Sequence, residues 1–130
     1  MCNYIRKETY DVEAVLELTV PSTVPNKESK VDWDGDLIKM NSQRYELFKH
    51  KGVVCVECGM KGTYFAKERN PQCPTYHFNL YGVNAKGEEV MMTKDHIIPR
   101  SKGGANHFSN YQPMCADCNQ AKGSELKISC

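Results

Sequence analysis

Cys55-Val56-Glu57-Cys58-Gly59 and Cys115-Ala116-Asp117-Cys118 each hold two thiols at a spacing that lets one tight turn present both sulfurs to a single ion. Four thiolates complete a tetrahedral, closed site for zinc, which leaves no position for water or substrate, so such an ion braces the fold and does no catalysis. A thioredoxin-type redox pair fits less well, because it needs a single Cys-x-x-Cys inside a βαβ pattern that this chain lacks. The cysteine count of seven is odd, which also argues against a disulfide framework. Cys2, Cys73 and Cys130 have no Cys-x-x-Cys partner and receive no role.

Chemistry must therefore lie elsewhere, and the densest candidates are Asp95-His96-Ile97-Ile98-Pro99 together with Asn110 and Asn119. A carboxylate and an amide oxygen are hard ligands suited to magnesium or manganese. An adjacent imidazole can take a proton from water at neutral pH. Alone, Asp-His is a weak dipeptide, and a solvated Asp beside a packed His would be its plainer meaning. Position changes that balance: the two Cys pairs bracket Asp95-His96, and Asn119 directly follows the last cysteine. One zinc would then draw an acid, an imidazole and an amide together.

Taken in order, these motifs resemble the HNH nucleases of ββα-metal (His-Me finger) fold, within them the small stand-alone members common in bacteriophages. The matching residues are Cys55-x-x-Cys58-Gly59, then Asp95 through Gly104 (Asp-His-Ile-Ile-Pro-Arg-Ser-Lys-Gly-Gly), then Asn110, and finally Cys115-x-x-Cys118-Asn119-x-x-Lys122-Gly123. His96 precedes Asn110 by fourteen positions and Asn110 precedes Asn119 by nine, a spacing familiar in that family. The resemblance implies an α+β architecture: a zinc-stabilised nuclease domain over residues 55–130, with a mixed β/α extension over 1–54 packed on it.

It further implies a metal-dependent endonuclease that hydrolyses internal phosphodiester bonds of DNA by cutting or nicking. Asp95 and Asn119 would be the ligands of one divalent ion, Mg2+ or Mn2+. His96 would be the general base for the attacking water. Asn110 would hold the loop that orients His96, an ordinary turn Asn being the alternative. The family's third signature position is His or Asn, and Asn119 favours a hard ion. Arg100, Lys102 and Lys122 are candidate phosphate contacts, since cations near the metal position a duplex without reading its sequence, though each could equally be solvated surface charge. The alternative from another class is a zinc-stabilised DNA-binding or adaptor protein with a vestigial nuclease site. RNA ranks below DNA as substrate.

The elements that must position these residues are legible in outline. Tyr10, Val12, Ala14, Leu16, Leu18 and Val20 alternate with mostly polar residues, which predicts a half-buried strand up to Pro21; Val12, Val15 and Leu16 also fit a helical face. Pro21 to Lys30 reads as a surface loop. Leu37 to Met40 reads as a short strand, followed by Ser42 as N-cap of a helix over Gln43 to His50 that Gly52 stops. Thr63 to Glu68 and Tyr76 to Val83 read as strands, Asn84 to Gly87 as a turn, and Glu88 to Lys94 as a returning strand, with Asp95-His96 at its end. Pro99 to Asn106 is a loop, Asn110 to Met114 an extended segment, and Ala116 to Lys122 a helix closed by Gly123. His50 and His77 are structural in this scheme, His107 is incidental, and Trp33 packs, because the acids around it would repel phosphate.

The remaining exclusions come from composition. A chain of 130 residues suits one compact domain, and its 40% hydrophobic residues include no apolar run near the ~18 a bilayer span needs. No secretory h-region opens the chain, so a cytoplasmic location is expected, that of the host if the source is a bacteriophage. The formal net charge of +1 argues against a basic coat protein but leaves room for a local patch. The expected partner is double-stranded DNA, with no membrane; residues 1–54 carry no legible motif and could bind DNA, pack on the core or form a homodimer.

Overall fold

The computed structural model describes residues 3–123, and Cys2 and Cys130 lie outside them. An antiparallel five-stranded sheet carries the structure, in the order β1 (Ile5–Asp11), β4 (Gly62–Arg69), β5 (His77–Val83), β6 (Glu89–His96) and β7 (Tyr111–Cys115). A separate hairpin, β2 (Lys30–Trp33) with β3 (Asp36–Lys39), and the helices α1 (Val12–Leu16) and α2 (Gln43–Lys51) cover one face. The short helix α3 (Ala116–Ala121) follows β7 directly and packs on β6 and β7, so β6, β7 and α3 form a ββα unit. The architecture is α+β, and with the four-cysteine cluster it is that of a zinc-stabilised ββα-metal domain.

Local chemistry explains most of these elements. Ser42 caps α2 by accepting from the Arg44 N–H at 3.1 Å, and Gly52, at φ 93°, ends it with a backbone angle that residues with a Cβ rarely adopt. Tyr45, Leu47 and Phe48 of α2 enter the core with Phe65 of β4 and Phe78 and Leu80 of β5. Phe78 is the hub of an aromatic cluster, with ring centroids 5.0 Å from Trp33, 5.4 Å from Tyr10 and 6.0 Å from Phe65. Trp33 is thus a packing residue, 7% exposed. His50 and His77 lie near the end of α2 and at the start of β5.

The first element corrects the alternation argument. The strand runs over Ile5–Asp11, and most of the segment that alternates apolar with polar residues coils into α1 or follows it as turn. The helical face prevails because it buries Val15 completely and packs Val12 and Leu16 against the core, while Leu18 is left 44% exposed. The hairpin β2–β3 is also new relative to the sequence, where only its second strand is legible. Its signal was Asp34-Gly35, both at positive φ (52° and 97°), the Asp-Gly pair that favours a tight hairpin turn.

Lys67 of β4 ties three elements together from a fully buried position. Its ammonium donates to Glu8 at 2.6 Å, to Asp36 at 2.7 Å and to the Trp33 carbonyl at 2.8 Å. Burial works against its charge, but the hydrogen bonds to Asp36 and Glu8 outweigh burial and raise its pKa. The core itself rests on aromatic packing. Phe78→Ala should therefore lower unfolding free energy by about 3–5 kcal/mol, read as a fall in the urea midpoint with an unchanged m-value.

Candidate active site

The first Cys pair sits on a tight knuckle. The Cys55 N–H donates to the Met60 carbonyl at 2.9 Å, the Gly59 N–H returns to the Cys55 carbonyl at 3.0 Å, and Gly59 turns the chain at φ 80°. The Val56 N–H then donates to the Pro113 carbonyl at 3.1 Å, which stitches the knuckle to β7. The second pair opens α3, where Cys115 is the N-cap and its sulfur accepts from the Cys118 N–H at 3.4 Å. The four sulfurs lie within 4.8 Å of one another, and those of Cys58 and Cys115 are 3.8 Å apart. Tetrahedral Zn–S bonds of ~2.3 Å require sulfurs roughly 3.8 Å apart, so the donor set fits a structural zinc.

Electrostatics point the same way. Burial pushes the Cys55 thiol up, but N–H groups of Cys58, Cys115 and Glu57 outweigh it and bring its pKa down to about 7. The Cys115 and Cys118 thiols are pushed up, first by burial and then by the neighbouring sulfurs. Four thiolates cannot share this space without a cation among them.

The zinc knuckle anchors α3 against β6, and the side chains between them interlock. Thr93 and Asp95 share one face of β6, as residues two apart on a strand must. Thr93 Oγ1 donates its one hydrogen to the Met114 carbonyl at 2.7 Å, so it can only accept from Asn119 Nδ2, 2.8 Å away. That orients the Asn119 amide and leaves its Oδ1 buried with no partner among the described residues. Asp95, 3% exposed, accepts on Oδ2 from Gln112 at 3.0 Å, the residue opposite it in register, and from Lys122 at 2.7 Å. Lys122 also donates to the His96 carbonyl at 2.7 Å. The pairs Thr93–Asn119 and Asp95–Lys122 therefore follow one another along the β6–α3 contact. An orphaned buried acceptor is costly to leave unsatisfied, and the side-chain oxygens of Asp95 and Asn119 are hard donors of the kind that suit Mg2+ or Mn2+.

His96, on the opposite face of β6, packs its ring edge-on against Tyr111 at 5.1 Å between centroids. Its Nε2 lies 2.8 Å from Asn106 Oδ1; an amide oxygen only accepts, so Nε2 carries the hydrogen and Nδ1 keeps the lone pair. The loop holding Asn106 is fastened by Asn110. The Asn110 Oδ1 accepts from the Ile98 N–H at 2.9 Å, and its Nδ2 donates to the carbonyls of Ile98 at 3.0 Å and Ala105 at 2.9 Å. Gly104 crosses the same loop so closely that a Cβ there would collide with the Ile98 carbonyl. Arg100 and Lys102 are exposed on the 3-10 turn Arg100–Lys102, while Lys122 is spent on Asp95. His107 caps the next 3-10 turn by accepting from the Ser109 N–H.

Thr93, Gln112 and Asn106 escaped the sequence-based candidate set. Strand alternation could have flagged Thr93, two residues before Asp95. Gln112 and Asn106 carry no such signal, because register and loop path bring them in.

Residues 84–128 match the model of the HNH endonuclease family. This part of the chain is similar to that family. The match spans β6, β7 and α3 with the second Cys pair, while Cys55 and Cys58 precede it. Comparisons with curated proteins and with solved structures find no match. The HNH segment thus borrows half of its sulfur cluster from outside itself, and the cluster should hold the two together. Cys58→Ser and Cys115→Ser should each lose bound zinc by native mass spectrometry and unfold at lower temperature, because ion binding and folding are coupled.

Proposed function

We propose that this HNH protein is a metal-dependent endonuclease that hydrolyses internal phosphodiester bonds of double-stranded DNA, by cutting or nicking. The observation that carries this is the unpartnered Asn119 Oδ1, buried and oriented by Thr93, two residues before Asp95 on β6. Asp95 and Asn119 are the proposed ligands of one Mg2+ or Mn2+. When bound, such an ion neutralises charge on the scissile phosphate and on the departing 3′ oxygen.

The other residues act around that pair. His96 takes a proton from the attacking water at Nδ1, the nitrogen left free by the Asn106 contact. Asn110 holds the loop rigid so that the imidazole keeps its place. Lys122 holds one oxygen of Asp95, leaving the other for the cation. Arg100 and Lys102 meet backbone phosphates close to the reacting bond.

Supercoiled plasmid should be relaxed by the zinc-loaded protein with Mg2+ and left intact without it. His96→Ala should slow cleavage by about 10²–10⁴ while keeping zinc and fold. Wild-type cutting by that variant would remove His96 from the mechanism. If the folded wild-type protein binds DNA and never nicks it, the adaptor alternative stands instead. Thr93→Val should weaken Mn2+ binding, read by calorimetry or electron paramagnetic resonance, by about 10–100-fold, and Thr93→Ser should restore it.

A further inference from the structure

The chain before the family match contributes a surface that the proposed chemistry does not use. A groove of about 380 Å³ lies between the β2–β3 hairpin, the start of α2 and the start of β5, lined among others by Lys30, Lys39, Ser42, Arg44, Tyr76 and His77. No Asp or Glu is among its lining residues. Lys30 and Lys39 are direct cross-strand partners in the hairpin, a like-charge pairing that weakens a sheet. Neither is relieved by the hairpin's own acids. Asp36 is bound to Lys67 and Lys7, Asp34 accepts from Tyr10, and Asp32 accepts from the Gly35 N–H at the turn.

The positive charge continues from the groove toward the candidate active site. Lys94 donates to Gln43 at 3.1 Å, at the beginning of α2, and its ammonium lies 4.1 Å from the centre of the Tyr111 ring. His96 packs on that same ring. One strip therefore runs Lys30/Lys39, Arg44, Lys94, Tyr111, His96. The start of α2 at Ser42 adds the partial positive charge of a helix N-terminus. Cations gathered at a cost to the fold, without an acidic partner among the described residues and aligned with His96, are complementary to a polyanion.

We propose that this groove seats the sugar–phosphate backbone of the DNA duplex that flanks the bond presented to His96. The proposal rests on the endonuclease function above for the identity of the polyanion. It assigns to Lys30, Lys39, Arg44 and Lys94 the task of holding the duplex in register, without reading its sequence.

The test is equilibrium binding of a fluorescent DNA duplex to the full chain, without divalent cation so that no cleavage intervenes, over a range of salt concentrations. Lys30→Gln combined with Lys39→Gln should bind more weakly, and its slope of log affinity against log salt should be shallower by about 0.9 for each phosphate contact removed. Lys94→Gln should act in the same direction, whereas Lys86→Gln, in the distant turn before β6, should match wild type. Circular dichroism and zinc content establish that each variant is folded. An unchanged slope in folded Lys30→Gln/Lys39→Gln protein overturns the proposal, as does an absence of duplex binding by the wild type. Tighter binding of an RNA of the same length overturns the assignment to DNA. A protein that binds duplex through these lysines yet never cuts it retains the groove and loses the endonuclease function, so the two failures are distinguishable.

Discussion

The fold turns on four sulfurs crowded within 4.8 Å of one another. Left as thiols and thiolates they would repel and splay; around a zinc they become the shortest link between a knuckle at residues 55–59 and the junction of β7 with α3. A six-residue helix such as α3 is far too short to hold itself in water. Its position on β6 comes from the cluster at its first turn and from the side chains beneath it. Everything the candidate active site requires of α3, above all the placement of Asn119, follows from that anchorage.

Within this frame the polar groups are oriented by exhaustion of hydrogen-bonding capacity. Thr93 has one hydrogen and gives it to Met114, so the Asn119 amide can be bound only through its nitrogen. Asn106 offers an oxygen to His96, so the imidazole meets the loop through its Nε2–H and keeps Nδ1 free of it. Asn110 uses both ends of its amide on the backbone of residues 98–105 and holds that loop without a helix or strand. None of these groups is strained, yet each is limited to a single orientation. That is how a small domain with a modest apolar core can hold reactive groups to fixed directions.

The segment before the cysteines is more than a covering. It donates β1 to the sheet edge, α1 and α2 to the core, and the hairpin whose Asp36 neutralises the buried Lys67. By engaging its acids at one end, the hairpin leaves its lysines unbalanced at the other. The near-zero net charge of the whole chain thus conceals a polarised surface, because charge that is paired in the interior cannot neutralise charge outside.

Spacing along the chain was sufficient for whatever depends on local geometry. Two Cys-x-x-Cys turns announce a closed metal site, Ser42 and Gly52 bound α2, and the Asn84–Gly87 turn separates β5 from β6, since each is a matter of a few consecutive residues. The alternation over Tyr10–Val20 misled for the same reason: a period of two and a helical face coexist there, and only the core supplied by the rest of the chain, which takes in Val12, Val15 and Leu16, selects the helix. Asp95, His96, Asn110 and Asn119 could be named from sequence as candidates, but not the partners that aim them. Thr93, Asn106, Gln112 and the Lys122 contact arise where register, loop path and helix docking bring remote residues within 3 Å. Residue order determined which candidate ligands exist; the folded chain alone decided which of their atoms keep hydrogen-bonding capacity to spare, because that capacity is consumed by neighbours that only tertiary packing supplies.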